Sequence, residues 1–318
     1  MTNRIAAWLA CLLFSSSALA QAWPAKPVHF ILPFAPAGPV DITARLLLPK
    51  VSEILGQQML IENKPGAGGN VGAAQVAKSA PDGYTALITS SAFAVNVSLF
   101  ANAGYDAERD FAPVIVVASQ PNLIAVNASL PVKSLADLID LAKKSKLAYA
   151  SPGVGTTPHL TAENLFRITA KLDITPVHFK GAGPAVMAAV TGEPPLGAYA
   201  ISGPLPHIKS GKLRALAISS TKRVAALPDV PTFTEAGFPG MEDYTWIGVF
   251  LPAGTPTLIV QRLNDAINRA MQAVDVKERI ESFAFDLVGG SPQQTADYVR
   301  AEVSKWGKVV RATGAKAD

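Results

Sequence analysis

Short apolar runs alternate with amphipathic stretches along most of this chain. One such run lies at 28–32, and the stretch at 41–55 repeats apolar positions at helical spacing. A short continuous apolar run is typical of a buried strand, and strands that alternate with helices are typical of α/β folds with mostly parallel sheets. The pattern predicts strands at 28–32, 58–62, 85–89, 111–118, 123–126, 147–150, 176–179, 196–201, 215–219 and 244–251. It predicts helices at 41–55, 134–144, 158–170, 184–191, 257–273 and 293–310, and one that opens at 66–72 and runs through 78.

The order of these elements predicts an α/β fold of two domains, in which the second domain interrupts the first. The strand at 244–251 returns to the first domain, and the last two helices complete it. Two strands therefore cross between the domains. We expect a first lobe made of residues 23–122 and 244–318, and a second lobe made of residues 123–243. A chain of 318 residues is long enough to give each lobe its own core.

Residues 1–22 have the composition of a secretory signal peptide. Arg4 supplies a positive charge, an apolar run follows, and Ala18-Leu19-Ala20 fits a cleavage site, with cleavage two residues later as an alternative. A membrane anchor is the other interpretation, but the apolar run is short for one. Cys11 is the only cysteine, so we expect a mature chain without disulfides or thiol chemistry.

Composition and charge argue against several classes of protein. The 28 basic and 24 acidic residues are interspersed and give a formal charge of +4, without the basic stripe and interleaved aromatic residues of a nucleic-acid-binding protein. A mild positive balance suits attraction of anionic solutes. The four histidines are dispersed without metal-ligand spacing, and the glycines at 66–72 do not match a dinucleotide or phosphate motif. We therefore expect no metal and no cofactor.

The sequence offers little support for a catalytic centre. It lacks a G-x-S-x-G motif. Ser90 and Ser91 follow a predicted strand, where a nucleophile could lie, but hydrogen bonding to a ligand or to a helix end is the interpretation that we favour. We therefore expect no catalytic residues, and a periplasmic serine hydrolase that uses Ser90 or Ser151 remains an alternative.

Two glycine-rich loops, each between a predicted strand and a predicted helix, are the strongest functional signal. They lie at 34–41 and 151–159. A helix N-terminus carries unpaired N–H groups and about half a positive charge, so it can hold an anion without Lys or Arg. Gly38, Gly153 and Gly155 permit close approach of a ligand to the backbone. The loops therefore predict two half-sites that close on one small anion.

Polar side chains in the two loops are further candidates. Ser151, Thr156 and Thr157 add hydroxyl donors to the second loop. Asp41 caps the helix or faces a ligand. His159 begins the second helix and either bonds its own loop, which is the more frequent role, or contacts the ligand.

Several motifs occur together along the chain. They are Gly-Pro-x-Asp at 38–41, Glu-Asn-Lys-Pro-Gly-Ala-Gly-Gly-Asn at 62–70, Pro-Asp-Gly-Tyr-Thr at 81–85, Tyr-Ala-Ser-Pro-Gly-Val-Gly-Thr at 149–156 and Pro-His-Ile-Lys-Ser-Gly at 206–211. Over essentially the whole mature chain, this set resembles the Bug family, the extracytoplasmic solute receptors of tripartite tricarboxylate transporters. The chain departs from the family pattern at Pro194-Pro195 and in the first loop, where many members have an additional glycine.

The resemblance implies a two-lobed periplasmic-binding-protein fold of the Venus flytrap type, in which two mixed-sheet α/β domains joined by crossing strands close on a small organic acid. It implies ligand contacts in the first lobe from Phe34, Ala37, Gly38, Asp41, Ser90 and Ser91. In the second lobe it implies contacts from Ser151, Gly153, Gly155, Thr156 and His159, with Ala200 and Ser202 at a strand end as a further wall.

We therefore expect a non-catalytic periplasmic protein, monomeric by default, that captures a carboxylate and delivers it to the subunits of a membrane transporter. A sensor that hands its closed form to a signalling partner such as a sensor kinase is an alternative. The sequence leaves the identity of the acid open among dicarboxylates, amino acids and aromatic acids.

Overall fold

The computed structural model describes residues 23–313 and residue 317, so the predicted signal peptide lies outside the described residues. The strands are β1 (Val28–Leu32), β2 (Met59–Asn63), β3 (Thr85–Ser90), β4 (Phe111–Asn127), β5 (Ala148–Ser151), β6 (Thr175–His178), β7 (Leu196–Ala200), β8 (Leu213–Ile218), β9 (Tyr244–Pro252) and β10 (Asp286–Leu287). The α-helices are α1 (Pro39–Leu55), α2 (Asn70–Ala77), α3 (Ala92–Leu99), α4 (Leu135–Ala142), α5 (Thr157–Glu163), α6 (Ala182–Thr191), α7 (Leu205–Lys209), α8 (Thr257–Met271), α9 (Val274–Ser282) and α10 (Pro292–Thr313). A 3-10 turn at Ala67–Gly69 precedes α2, and a π-helical segment at Asn164–Thr169 continues α5.

The strands form two mixed sheets that share β4. The first has the order β2-β1-β3-β9-β4, in which β1 is parallel to both neighbours and β9 is antiparallel to β3 and β4. The second continues β4-β7-β5-β6, in which β5 is parallel to both neighbours. β8 and β10 also pair with β4. The predicted α/β fold with two mixed sheets and crossing strands is confirmed.

β4 joins the two sheets as one continuous strand. Its residues 111–121 pair with β9, and its residues 122–127 pair with β7 and β8. The prediction of two strands with a break at 120–122 is therefore wrong. Pro121 is the last residue paired with β9, so its missing N–H falls where the strand changes partners. Its partner there is Tyr244, the first residue of β9. The two places where the chain passes from one sheet to the other, within β4 and at the start of β9, therefore lie side by side.

The ends of the helices follow local sequence signals. α1 begins at Pro39, two residues before the predicted start, because the fixed φ of proline suits the first helical turn. It ends at Gly56, whose φ of 69° lies in the left-handed region and whose N–H donates to the carbonyl of Ser52. The predicted N-cap at Ser134 is confirmed, since its hydroxyl accepts from the N–H of Asp137 at 3.1 Å.

The apolar pattern does not predict α3 or α9. It also predicts one uniform helix where α5 continues as a π-helical segment. α3 is apolar on almost every side and mostly buried, so it lacks the polar face that produces a helical repeat. α9 is largely polar and buries only Val276 and Ile280. The predicted helix at 158–170 is α-helical only to Glu163 and then π-helical.

Each sheet carries its own hydrophobic core. In the first, Ile247 and Val249 of β9 pack with Leu47 of α1 and Leu263 of α8. In the second, Leu196 of β7 packs with residues of α4 and of the π-helical segment. Within residues 23–313, no helix has the length and apolar character needed to cross a membrane.

Candidate functional site

A small cavity lies between the two lobes, where the N-termini of α1 and α5 meet the ends of β3, β7 and β9. It encloses about 30 Å³, which is room for about two water molecules. Its wall is mainly apolar, and its polar side chains are hydroxyls. The lining residues are Phe34, Gly38, Pro39, Val40, Ser90, Pro152, Thr156, Thr157, Pro158, Ala182, Ala200 and Thr245.

Both helices that reach the cavity begin without a side-chain cap. α1 follows Gly38 and α5 follows Thr156, and neither of these residues makes a capping hydrogen bond through a side chain. Because the first N–H groups of a helix have no partner within it, each N-terminus presents unpaired donors and the positive end of the helix dipole. Two such termini from opposite lobes can hold one anion.

Asp41 fixes the loop that leads into α1. Its carboxylate accepts from the N–H of Ala37 at 3.1 Å, from Nε of Arg45 at 2.9 Å and from Nδ2 of Asn63 at 3.2 Å. Burial alone raises the pKa of Asp41, but these hydrogen bonds outweigh it and hold the pKa below its usual value. The carboxylate therefore stays charged at neutral pH and anchors the loop.

The second glycine-rich loop is bonded internally. The hydroxyl of Thr156 donates to the carbonyl of Gly153 at 2.8 Å. The hydroxyl of Ser151 lies 3.3 Å from the N–H of Gly153 and 3.1 Å from Nδ1 of His178. Gly153 has a φ of 142° and Gly155 a φ of 78°, in the region that favours glycine. These bonds hold the loop in the conformation that starts α5.

His159 supports the second loop as a neutral base. Its Nδ1 accepts from the N–H of Gly155 at 3.4 Å, and its ring meets that of His178 edge-on, with 4.8 Å between centroids. Burial, together with the nearby charges of His178 and Arg167, lowers the pKa of His159 to about 3. The ring is therefore uncharged at neutral pH and accepts a hydrogen bond from the loop.

The two lobes touch closely on either side of the cavity. The N–H of Ala35 in the first lobe donates to the carbonyl of Lys180 in the second at 2.9 Å. Glycines make several of the other contacts: a Cβ on Gly155 would overlap the side chain of Asn96, and one on Gly183 would overlap the carbonyl of Pro36. The structure is therefore a closed arrangement of the lobes, and an organic acid larger than the cavity needs them to separate in order to enter.

A chain of buried hydrogen bonds runs from the cavity to the strands that cross between the lobes. The hydroxyl of Ser91 lies 3.0 Å from that of Thr157, which lies 2.6 Å from that of Thr245. Thr245 donates to Oδ1 of Asn122 at 2.7 Å, and Asn122 donates to Oδ1 of Asp243 at 2.6 Å. This series of hydrogen bonds thus links both lobes with the crossing strands β4 and β9.

Asp243 is the ionisable residue at the end of this series of hydrogen bonds. Burial raises its pKa to about 6, although hydrogen bonds from Thr161, Asn122 and Ser219 and the charge of Lys305 act in the opposite direction. Asp243 lies in a segment without a motif, so it is not among the site residues predicted from the sequence.

The predicted ligand-binding residues fall into two groups. Phe34, Gly38, Ser90, Thr156 and Ala200 line the cavity. Ala37, Asp41, Ser91, Ser151, Gly153, Gly155, His159 and Ser202 lie in the surrounding loops and strand ends and do not line it. Contact of any of them with a ligand stays a prediction. Thr245 and Ala182 line the cavity without having been predicted; the predicted return of the strand at 244–251 to the first lobe was the only sequence signal that pointed towards Thr245.

Ser151 and His178 are a serine–histidine pair, which bears on the hydrolase alternative. A nucleophilic serine needs a base that is itself oriented by a third group. Ser151 is fully buried, and in residues 23–313 no carboxylate hydrogen bonds to His178.

The described part of the chain also contains no group of three or more His, Cys, Asp or Glu placed to hold a metal ion.

Two α/β lobes joined by crossing strands, with facing helix N-termini over an interlobe cavity, define the class of two-lobed periplasmic binding proteins. The profile of the tripartite tricarboxylate transporter family receptor matches residues 43–315. The chain is 38% identical to Protein BugT of Bordetella pertussis over 301 residues, which are 93% of this chain and 92% of that protein.

Solved structures give the same assignment. The R. palustris protein Rpa4515, solved with adipate, superposes with a TM-score of 0.88 and 36% identity, over 92% of this chain and 98% of that one. MatC from Rhodopseudomonas palustris, solved with bound malate, has a TM-score of 0.83 and 34% identity, over 91% of this chain and 100% of that one. The chain belongs to the tripartite tricarboxylate transporter receptor family, a family of solute-binding receptors, and the predicted resemblance to Bug proteins is confirmed.

Proposed function

We propose that this protein is a periplasmic receptor that captures a small organic carboxylate between its lobes and delivers it to a tripartite tricarboxylate-type transporter. The observation that carries the proposal is the convergence of two uncapped helix N-termini, from α1 and α5, on one interlobe cavity. Two relatives of similar fold were solved with the carboxylates adipate and malate. Together these observations support a carboxylate ligand for this chain.

The first carboxylate of the ligand binds at the helix N-termini. Backbone N–H groups at the start of α1 and α5 donate to its oxygens, and the hydroxyl of Ser90 adds a further donor. Thr156 and Thr245 line the site with hydroxyls that already donate to Gly153 and Asn122. In a water-poor cleft such donors hold a carboxylate without a positively charged side chain. The loop residues Ala37, Asp41, Gly153 and His159 keep both N-termini in place.

Binding proceeds by hinge closure about the crossing strands. We place the lobe boundaries at 122/123 and 243/244, beside the point where β4 changes partners and β9 begins. Closure brings the two N-termini onto one anion and forms the contact between Ala35 and Lys180. The receptor is a periplasmic monomer that carries out no reaction, and its signal peptide is residues 1–22. Its partners are the membrane subunits of the transporter; the sensor function remains the second candidate.

A thermal-shift screen of the purified mature protein tests this proposal. The panel contains mono-, di- and tricarboxylates, amino acids and aromatic acids, and the protein is unfolded and refolded first to remove any ligand that copurifies. An acid at 100 times its Kd stabilises the folded state by about 2.7 kcal/mol, which raises Tm by several degrees. A selective shift with carboxylates supports the receptor. Turnover of an ester or amide, abolished by Ser90→Ala or Ser151→Ala, supports the hydrolase instead.

A further inference from the structure

A row of three polar side chains crosses the two sheets beside the cavity. In β4, Gln120 pairs with Thr245 of β9. Two residues further along β4, Asn122 pairs with Ala200 of β7. The antiparallel register therefore places Ser202, just after β7, opposite Gln120 on its other side. The N–H of Ser202 donates to Oε1 of Gln120 at 2.7 Å, which shows that the two residues are in contact.

The register also settles which face of the sheet these side chains occupy. Directly paired residues on neighbouring strands, and residues two apart on one strand, project to the same face. Thr245 lines the cavity, so its partner Gln120 belongs to the face that the cavity adjoins. Ser202 lies in the turn that follows Ala200 of the cavity wall and contacts Gln120 through its N–H. Gln120 is 0% exposed and Ser202 is 1% exposed. Both residues are therefore buried, and neither lines the cavity of this closed arrangement.

Each of these two residues has one polar atom without a partner. Because Oε1 of Gln120 accepts from a backbone N–H, the other amide atom must be the NH₂ donor. This Nε2, and the hydroxyl of Ser202, have no hydrogen-bond partner among the described residues. A buried polar group without a partner costs about 1–3 kcal/mol, so buried donors in native proteins are nearly always satisfied. Two unsatisfied donors on contacting residues, close to a binding cleft, indicate a place for an oxygen atom.

We propose that Gln120 and Ser202 are the specificity-determining donors of this receptor, and that they bind the second carboxylate of a dicarboxylate ligand. This inference rests on the proposed function, in which the helix N-termini hold the first carboxylate. A monocarboxylate of the same chain length places a methyl group against the two donors and leaves them unpaired. Sites built to hydrogen bond a ligand group discriminate strongly against the analogue that lacks it.

Isothermal titration with matched acids tests the assignment. The probes are the pairs succinate and butyrate, glutarate and pentanoate, and adipate and hexanoate. Gln120→Glu keeps the oxygen that accepts from Ser202 but replaces the donor with a second carboxylate oxygen, which repels an anion. Ser202→Ala removes only the hydroxyl and serves if Gln120→Glu fails to fold, as judged by its melting curve. Gln75→Glu, on the exposed side of α2, is the charge-matched control.

We expect the variants to lose affinity for the dicarboxylate and to keep their affinity for the monocarboxylate. The wild-type protein binds at least one dicarboxylate at least tenfold more tightly than its monocarboxylate. Each variant at Gln120 or Ser202 weakens binding of that dicarboxylate about 10- to 150-fold, which is the range for a hydrogen bond to a charged group. The affinity for the monocarboxylate changes less than about threefold.

Two other results overturn the inference in distinguishable ways. If the wild-type protein binds acids but both variants retain its affinities and its selectivity, the donors are satisfied by a buried water and select nothing. If the wild-type protein binds none of the acids, the proposed function fails and the inference fails with it.

Discussion

Closure of the lobes should depend on the absence of a side chain at Gly155. This residue lies in the second lobe and faces Asn96 of α3 in the first lobe. A Cβ at Gly155 would overlap Oδ1 of Asn96 and would lie 3.0 Å from Cδ2 of Leu99. Leu99 can change rotamer, whereas Asn96 is held by hydrogen bonds from its Nδ2 to the carbonyl of Gly68 at 3.0 Å and to Oδ1 of Asn70 at 2.7 Å.

The effect of Gly155→Ala has two parts that can be separated. The φ of 78° costs an alanine about 1–2 kcal/mol in the open and the closed protein alike, so this part lowers stability but not affinity. The overlap with Asn96 exists only when the lobes are closed. Overpacking of this kind costs about 1–3 kcal/mol, and a penalty on the binding-competent state weakens binding by the same free energy, about 5- to 150-fold.

Isothermal titration with the tightest-binding acid of the panel measures this effect. Gly211→Ala is the matched control, because Gly211 has a φ of 75° in the same lobe and a Cβ there would meet nothing within 4 Å. We expect Gly211→Ala to bind normally and Gly155→Ala to bind weakly. Adding Asn96→Ala to Gly155→Ala removes the overlapping atom and should restore much of the affinity. Normal binding by Gly155→Ala would refute a role in closure, and loss that Asn96→Ala does not relieve would indicate a steric effect on the ligand itself.

Three further predictions concern the groups that support the site. Burial raises the pKa of Asp243 to about 6 from its usual 3.8. Between these two pH values the unfolded chain has lost this proton whereas the folded protein keeps it, so the free energy of unfolding falls by about 3 kcal/mol as pH rises through this window. Urea unfolding of Asp243→Asn should lack this fall, and an identical pH profile would contradict the assignment. The lowered pKa of His159, about 3 against 6.5, has the opposite sign: stability falls by about 5 kcal/mol as pH drops through that range. His159→Asn should be less sensitive to acid in the same assay, and equal sensitivity would count against a buried neutral ring. Asp41→Asn should lower stability by about 1–3 kcal/mol, because the loop before α1 loses a charged acceptor; a thermal melt that matches the wild type would show that the loop does not need the charge.

The sequence predicted most of the fold because most elements carry a local signal. The glycine after α1 and the serine before α4 act on their own helix ends. The runs of β3 and β9 are buried on both faces, and so is that of β1 apart from His29. β4 was divided wrongly because Pro121 is a usual strand breaker. Only the change of partners at that residue, which depends on β7 and β9, makes proline acceptable there.

The site was predictable only where its residues are neighbours in the sequence. The loops at 34–41 and 151–159 lie directly before helices, so their glycines and hydroxyls marked the two half-sites. Thr245, Asp243 and Gln120 have no such local mark. They join the site through the register of β4 with β9 and β7, and this register pairs residues at least 70 positions apart in the sequence.

A crystal structure of the refolded protein with the tightest-binding acid of the panel tests the central claim most directly. We expect one carboxylate of the acid between the two lobes, within hydrogen-bonding distance of N–H groups at the start of both α1 and α5, in a cavity enlarged from the present volume of about 30 Å³ to hold the rest of the acid. An acid bound to one lobe alone, or outside the cavity lined by Gly38 and Thr156, would contradict the account.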